Sequence, residues 1–199
     1  MSSPLPRFAF TGHLSAVGSL PAGTGIAVTP CNDLALATVI ARKGQAALLA
    51  ERIRALFGIT LPTGPKRVAA GGVAFIGMGP GQWLATGQAD GDPQVFAAKL
   101  KQDLIGLASV SDQSDARAVL RLSGAAARQV LAKGLPIDLH PRVFGPGDAA
   151  LSQIALIGAH VWQIDERPTY EIAVFRSLAG SFADWLIASA AEFRIATMP

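Results

Sequence analysis

The sequence predicts an α+β fold: two βαββα halves, each a small antiparallel sheet with two helices on one face, packed as one compact body. Three observations predict it. Strand-like and helix-like segments alternate along all 199 residues. The order repeats. A strand followed by "GQAALLA" (Gly44–Ala50) recurs as a strand followed by "GAAARQVLA" (Gly124–Ala132), and "QWLATG…PQVFAAKL" recurs as "YEIAVF…SFADWLIA", at offsets of 80 and 88 residues. Third, no long linker parts the halves, which divide at residues 1–106 and 107–199. A ligand, if one binds, would lie between them.

The elements follow in order. "RFAFTGHL" (Arg7–Leu14) is expected as a first strand, then a Gly/Pro-rich connection over Gly18–Gly25. "LALATVIA" (Leu34–Ala41) holds three β-branched residues in a row and reads as a strand. The next segment, a helix over 44–57, aligns Leu49, Ile53 and Leu56 on one face and stops at Gly58. "GGVAFIG" and "QWLATG" form a hairpin around "GMGPG". Asp92-Pro93 supplies an N-cap and an N1 proline to a helix over 93–105, with Phe96, Leu100 and Leu104 in line and Gly106 as the stop. "ARAVLRL" is a strand, and Ser123 is expected to cap a helix over Gly124–Lys133. "ALSQIALIG", "AHVWQID" and "TYEIAVF" read as three strands. Ser177 is expected to cap the last helix, with Phe182, Trp185 and Leu186 facing inward. With its two helices on one face, each half is ferredoxin-like.

Composition narrows the function. Hydrophobic residues make up 50% and charged residues 16%, below the roughly 25% charged of an average soluble domain. A charge-poor surface suggests one covered in part by a partner. The net charge of +3 is spread over single basic residues, which argues against nucleic-acid binding. No run of 18 uncharged apolar residues occurs, which argues against a membrane-spanning helix. "MSSPLPRFAF" lacks the apolar segment of a signal peptide, and the single Cys31 excludes an internal disulfide. A cytoplasmic location is expected.

Candidate chemistry is sparse. His13, His140 and His160 have no metal-ligand spacing, so no metal site is expected. Cys31, in a Pro/Asn/Asp turn, reads as an inert thiol. "GMGPGQW" is followed by a strand rather than a helix, so it is a turn and not a phosphate loop. Trp83, Trp162 and Trp185 suit core packing, with a flat ligand or an interface as the alternative. In "VSDQSDARAVLRLSG", Ser111, Asp112, Ser114 and Asp115 either cap a loop or form a polar site. Arg117 and Arg121 share a strand face and could grip a carboxylate.

Three stretches then resemble a known family: "GPGQWLATG", "VSDQSDARAVLRLSGAAARQVLAKGLPIDLHPRVF" and "YEIAVFRSLAGSFADWLIASAAEFR". Together they are similar to the gamma subunits of heterotetrameric sarcosine oxidase. These belong to the aminomethyltransferase (glycine cleavage T-protein) superfamily of folate-binding folds. The resemblance covers most of Arg67–Arg194 and implies an aminomethyltransferase-like body. It also implies a non-catalytic chain that supports oxidative demethylation of sarcosine to glycine. Its partners would be alpha, beta and delta subunits, which would hold the FAD, FMN, NAD, zinc and tetrahydrofolate. No cofactor is expected in this chain. Folate-active relatives carry an acidic pair after a Gly-Gly-Val/Ile strand start, where this sequence has Ala74 and Phe75. They also carry "GYTGEDGFEI", where this sequence has "QIDERPTYEI", with Arg167 at the place of the ligand-binding glutamate. A vestigial folate-like pocket would involve Trp83, Asp112, Tyr170 and Glu171. A partner interface would involve Arg117, Arg121 and Trp162. The competing expectations are a free-standing folate-dependent one-carbon transferase and an iron–sulfur maintenance protein of the same fold. The latter uses Lys-Gly-Cys, but here Lys133-Gly134 is followed by Leu135.

Overall fold

The computed structural model describes residues 8–14, 25–89, 92–193 and 195–197. Its strands are β1 (Ile26–Pro30), β2 (Leu34–Ala41), β3 (Arg67–Ala70), β4 (Val73–Gly79), β5 (Gln82–Gln88), β6 (Ala108–Asp112), β7 (Arg117–Ser123), β8 (Ala149–Ile154), β9 (Ile157–Gln163), β10 (Tyr170–Phe175) and β11 (Ile195–Thr197). Its helices are α1 (Ala46–Phe57), α2 (Pro93–Asp103), α3 (Ala127–Ala132) and α4 (Ala179–Ala190). The strands form two sheets, ordered β11-β1-β7-β10-β9-β8 and β3-β4-β5-β2-β6. No helix among the described residues is long and apolar enough to cross a membrane.

Strand alternation sorts the side chains into layers. On β10, Tyr170, Ile172 and Val174 join Val130, Phe182 and Leu186 in a core under α3 and α4. On β5, Trp83 and Ala85 join Leu49, Ile53 and Leu100 in a second core under α1 and α2. The opposite faces meet each other. Leu36, Ile76 and Leu84 of one sheet pack on Val119, Trp162 and Ala173 of the other. The result is four layers: two helices, sheet, sheet, two helices. Burying one large apolar side chain contributes about 1.5–3 kcal/mol, so the two helix-facing cores dominate the stability.

Local signals explain most boundaries. Gly58 takes a left-handed φ of 68° and ends α1, its N–H donating to the Arg54 carbonyl. The Asp92 carboxylate accepts from the Gln94 N–H at 2.9 Å and starts α2.

Several expectations need correction. Residues 8–14 form turns rather than a strand, and Phe10 is buried in the core instead of pairing. Arg7 and residues 18–24 lie outside the described residues. Leu56 is exposed, because α1 buries only Leu49 and Ile53. Ser123 ends β7 and caps nothing; α3 starts three residues after Gly124 with no side-chain cap. "ALSQIALIG" is split by a turn at Ala155–Leu156, two residues with positive φ of 47° and 70°. Ser177 lies in a single 3₁₀ turn ahead of α4 and does not cap it. Phe182 and Leu186 do face inward, and half-buried Trp185 packs against the same core, its ring stacked on Phe182 with centroids 5.9 Å apart.

Candidate functional site

The polar groups that alternation sends between the sheets gather at one place. Glu171 on β10 stands directly opposite Arg121 on β7 in the antiparallel register. Its Oε1 accepts from Arg121 Nε at 3.1 Å and from Nη2 at 2.5 Å. Its Oε2 accepts from the Trp162 indole N–H at 2.8 Å. Glu171 is 5% exposed, so these bonds offset its desolvation. Burial alone would lower the Arg121 pKa, but the hydrogen bond and charge of Glu171 hold it above its ordinary value.

This pair lines a cleft of about 410 Å³ between the sheets. Arg67 of β3, the Gly71–Gly72 turn, Ala74, Thr86 and Gln88 are among the other residues of its wall. Burial lowers the Arg67 pKa, with Glu171 acting in the opposite direction. On the far side of Arg121 a cavity of about 650 Å³ is lined by Ser123, Asp165, Arg167 and Thr169. Arg167 stands at its rim, 3.9 Å from the Asp165 carboxylate.

The four residues expected to share a folate-like pocket are spread through the molecule, and of them only Glu171 lines this cleft. Trp83 faces the α1/α2 core, and its indole N–H donates to the Pro62 carbonyl at 2.8 Å. Tyr170, next to Glu171, faces the other way, its ring 6.3 Å from Phe144. Asp112 sits at the end of edge strand β6, where its Oδ1 accepts from the Ser114 N–H and hydroxyl at 2.9 and 2.8 Å. Ser114 Oγ in turn accepts from the Leu36 N–H at 3.0 Å. The Ser/Asp run is thus a loop lock that ties the β6–β7 turn to β2.

Arg117 and Arg121 share a face but do not act together. Arg121 grips a carboxylate, that of Glu171. Arg117 lies over the Phe175 ring, 4.6 Å from its centroid, beside a separate cavity of about 60 Å³. Trp162 is fully buried, which removes it from any surface that a partner could touch.

Two further titratable groups lie between the sheets. His160 is fully buried, with its ring edge-on to Trp162 at 5.8 Å. Burial and then Arg117 push its pKa down to about 4; the Gly77 backbone pulls the other way without completing a hydrogen bond of good geometry. Burial pushes the Cys31 thiol up to about 12, with Glu171 adding to it, so it is not a nucleophile at neutral pH. No group of three or more His, Cys, Asp or Glu side chains that could hold a metal exists among the described residues. Sequence reasoning missed Arg67 and His160 as members of this layer. The one available signal was their place on alternating strands opposite apolar neighbours.

Comparison with known proteins places the chain. A model of the family "Sarcosine oxidase, gamma subunit family" matches residues 43–192. The chain belongs to that family. The sarcosine oxidase subunit gamma of Corynebacterium sp. (strain U-96) is 32% identical over 198 residues, covering 98% of this chain and 92% of that one. The Arthrobacter sp. subunit gamma is 36% identical over 159 residues, covering 78% and 73%. A chain of the solved heterotetrameric sarcosine oxidase from Corynebacterium sp. U-96, in complex with pyrrole 2-carboxylate, superposes with a TM-score of 0.78. It is 26% identical, and the match covers 98% of this chain and all of that one. The glycine cleavage system aminomethyltransferase T from Bartonella henselae superposes with a TM-score of 0.66 at 16% identity. That match covers 88% of this chain and 48% of the other, so this chain shares the fold of the matched part.

Proposed function

We propose that this chain is a non-catalytic, structural subunit of a heterotetrameric sarcosine oxidase. The observation that carries the reading is the likeness to a chain of such an oxidase over 98% of one and 100% of the other. In this reading alpha, beta and delta subunits are the partners, the complex is cytoplasmic, and FAD, FMN, NAD and zinc belong to those subunits. Exposed apolar side chains support a partner-covered surface: Ile105 is 81% exposed and Leu156 86%.

Tetrahydrofolate does not fit the inter-sheet cleft of this chain. Ala74 has no acid to offer, Phe75 is turned into the α1/α2 core, and both Glu171 oxygens are occupied. The free carboxylate that would pair with the N–H groups of a pterin ring is missing there. The pocket is vestigial, and no step of catalysis runs through it.

The body is read as two ferredoxin-like halves, 1–106 and 107–199, with three strands rather than two between the helices of each. Support comes from the parallel orders β2-α1-β3-β4-β5-α2 and β7-α3-β8-β9-β10-α4, whose strands also sit in the same order within their sheets. β1 and β6 pair across the division.

The test is co-expression with the other subunits. The chain should co-elute with them, while alone it should be colourless and devoid of oxidase activity. Calorimetry of the isolated chain with tetrahydrofolate should show no tight binding. Oxidase or one-carbon transferase activity of the chain by itself would overturn the reading.

A further inference from the structure

We propose that the cleft between the two sheets binds a small carboxylate anion on the guanidinium of Arg67. The reasoning begins with the charges that line it: Arg67, Arg121 and Glu171. Glu171 uses both oxygens, one on Arg121 and one on Trp162. Arg121 and Glu171 therefore cancel, and the carboxylate is screened from a second anion. Arg67 is left over. Among the described residues it has no ion-pair partner, and its Nε is buried without a hydrogen bond. A buried donor left unmatched is costly, and an ordered water or ion is the usual explanation.

One uncompensated positive charge matches a monoanion. The planar fork of a guanidinium matches a carboxylate in bidentate geometry. Space is available. The cleft of about 410 Å³ far exceeds the roughly 10–15 Å³ that one water requires on the same measure. Beside it, the Gly71–Gly72 turn takes positive φ of 56° and 81°, and a Cβ at either position would meet nothing within 4 Å. The turn therefore adds no side chain to the cleft, which Gln88 also lines. Methyl groups of Ala69, Ala74 and Thr86 line the wall, which suits a short aliphatic chain behind the carboxylate. The site does not depend on the subunit role proposed above.

The experiment uses the full chain and sodium propionate as the probe, with sodium chloride at matched ionic strength and inorganic phosphate as comparisons. Propionate should raise the melting temperature saturably, with a dissociation constant on the order of 1 mM for so small a ligand. Chloride should not. Arg67→Met should weaken propionate binding at least tenfold, and Arg67→Lys, which keeps the charge but loses the fork, should weaken it less. Circular dichroism establishes that each variant is folded, and Arg67→Lys carries the test if Arg67→Met is not. A propionate effect no larger than that of chloride would overturn the proposal. So would unchanged propionate binding in a folded Arg67 variant, or phosphate binding as tight as propionate.

Discussion

The two faces of each sheet have been put to different uses. The helix-side faces are largely apolar: Leu120, Leu122, Tyr170 and Ile172 under α3 and α4, and Phe75, Trp83 and Ala85 under α1 and α2. The faces that meet each other mix small apolar contacts with Arg67, Arg121, Glu171 and His160. The first kind of face holds the fold by area. The second carries the Arg121–Glu171–Trp162 bonds, all made within the six-stranded sheet, and it leaves a cleft between the sheets. The contrast places stability and ligand chemistry in different layers of one molecule, and substitutions should separate them.

The largest effect is expected in a helix-side core. Phe182→Ala empties a fully buried site and should lower the unfolding free energy by about 4 kcal/mol in urea titration. A loss below about 1 kcal/mol would mean that this core is not the main support.

Next comes acid. Folded His160 has a pKa near 4, below the 6.5 of the free side chain, so the unfolded chain takes up its proton first. Its contribution is complete above pH 6.5 and is lost as pH falls towards 4, by roughly 3 kcal/mol in all. His160→Phe should remove that part of the slope. Parallel stability curves of the two proteins between pH 7 and 4.5 would refute the assignment.

Glu171→Ala should cost about 2 kcal/mol. It strands the buried Trp162 N–H, while the half-exposed Arg121 recovers hydration. Glu171→Gln keeps an acceptor for Trp162 and should cost less; equal losses would show that the indole bond carries nothing. The smallest effect belongs to Arg117→Ala. It removes a contact with a ring that is itself 47% exposed and should cost about 0.5 kcal/mol in thermal unfolding.

How much of this was legible in the sequence follows the same division. β2, β4, β5 and β10 are predominantly apolar runs bounded by turn residues, and α1 and α2 carry their own stop and start residues, so these elements could be read directly. β1, β3, β6 and β11 could not. They are three to five residues long, and β6 ("ASVSD") is polar because it is an edge strand. The aromatic residues of 8–14 mimicked a strand, although their role is to lodge Phe10 in the core. The candidate site suffered more. Tyr170 and Glu171 are neighbours in sequence, yet alternation sends them to opposite faces of β10. Arg67 and Glu171, 104 positions apart and on different sheets, come to one cleft through the packing of sheet on sheet, which no local pattern encodes.

The placement of β1 also has a consequence in time. Both of its neighbours, β7 and β11, come later in the chain. At ribosomal rates of about 5–20 residues per second, the roughly ninety residues between β1 and β7 take some 5–20 s to appear. Over that interval Ile26 and Val28 belong to a strand with no sheet to join. The nascent chain therefore passes through a stage in which its earliest described strand is open to other chains, and that stage ends when residue 123 leaves the ribosome.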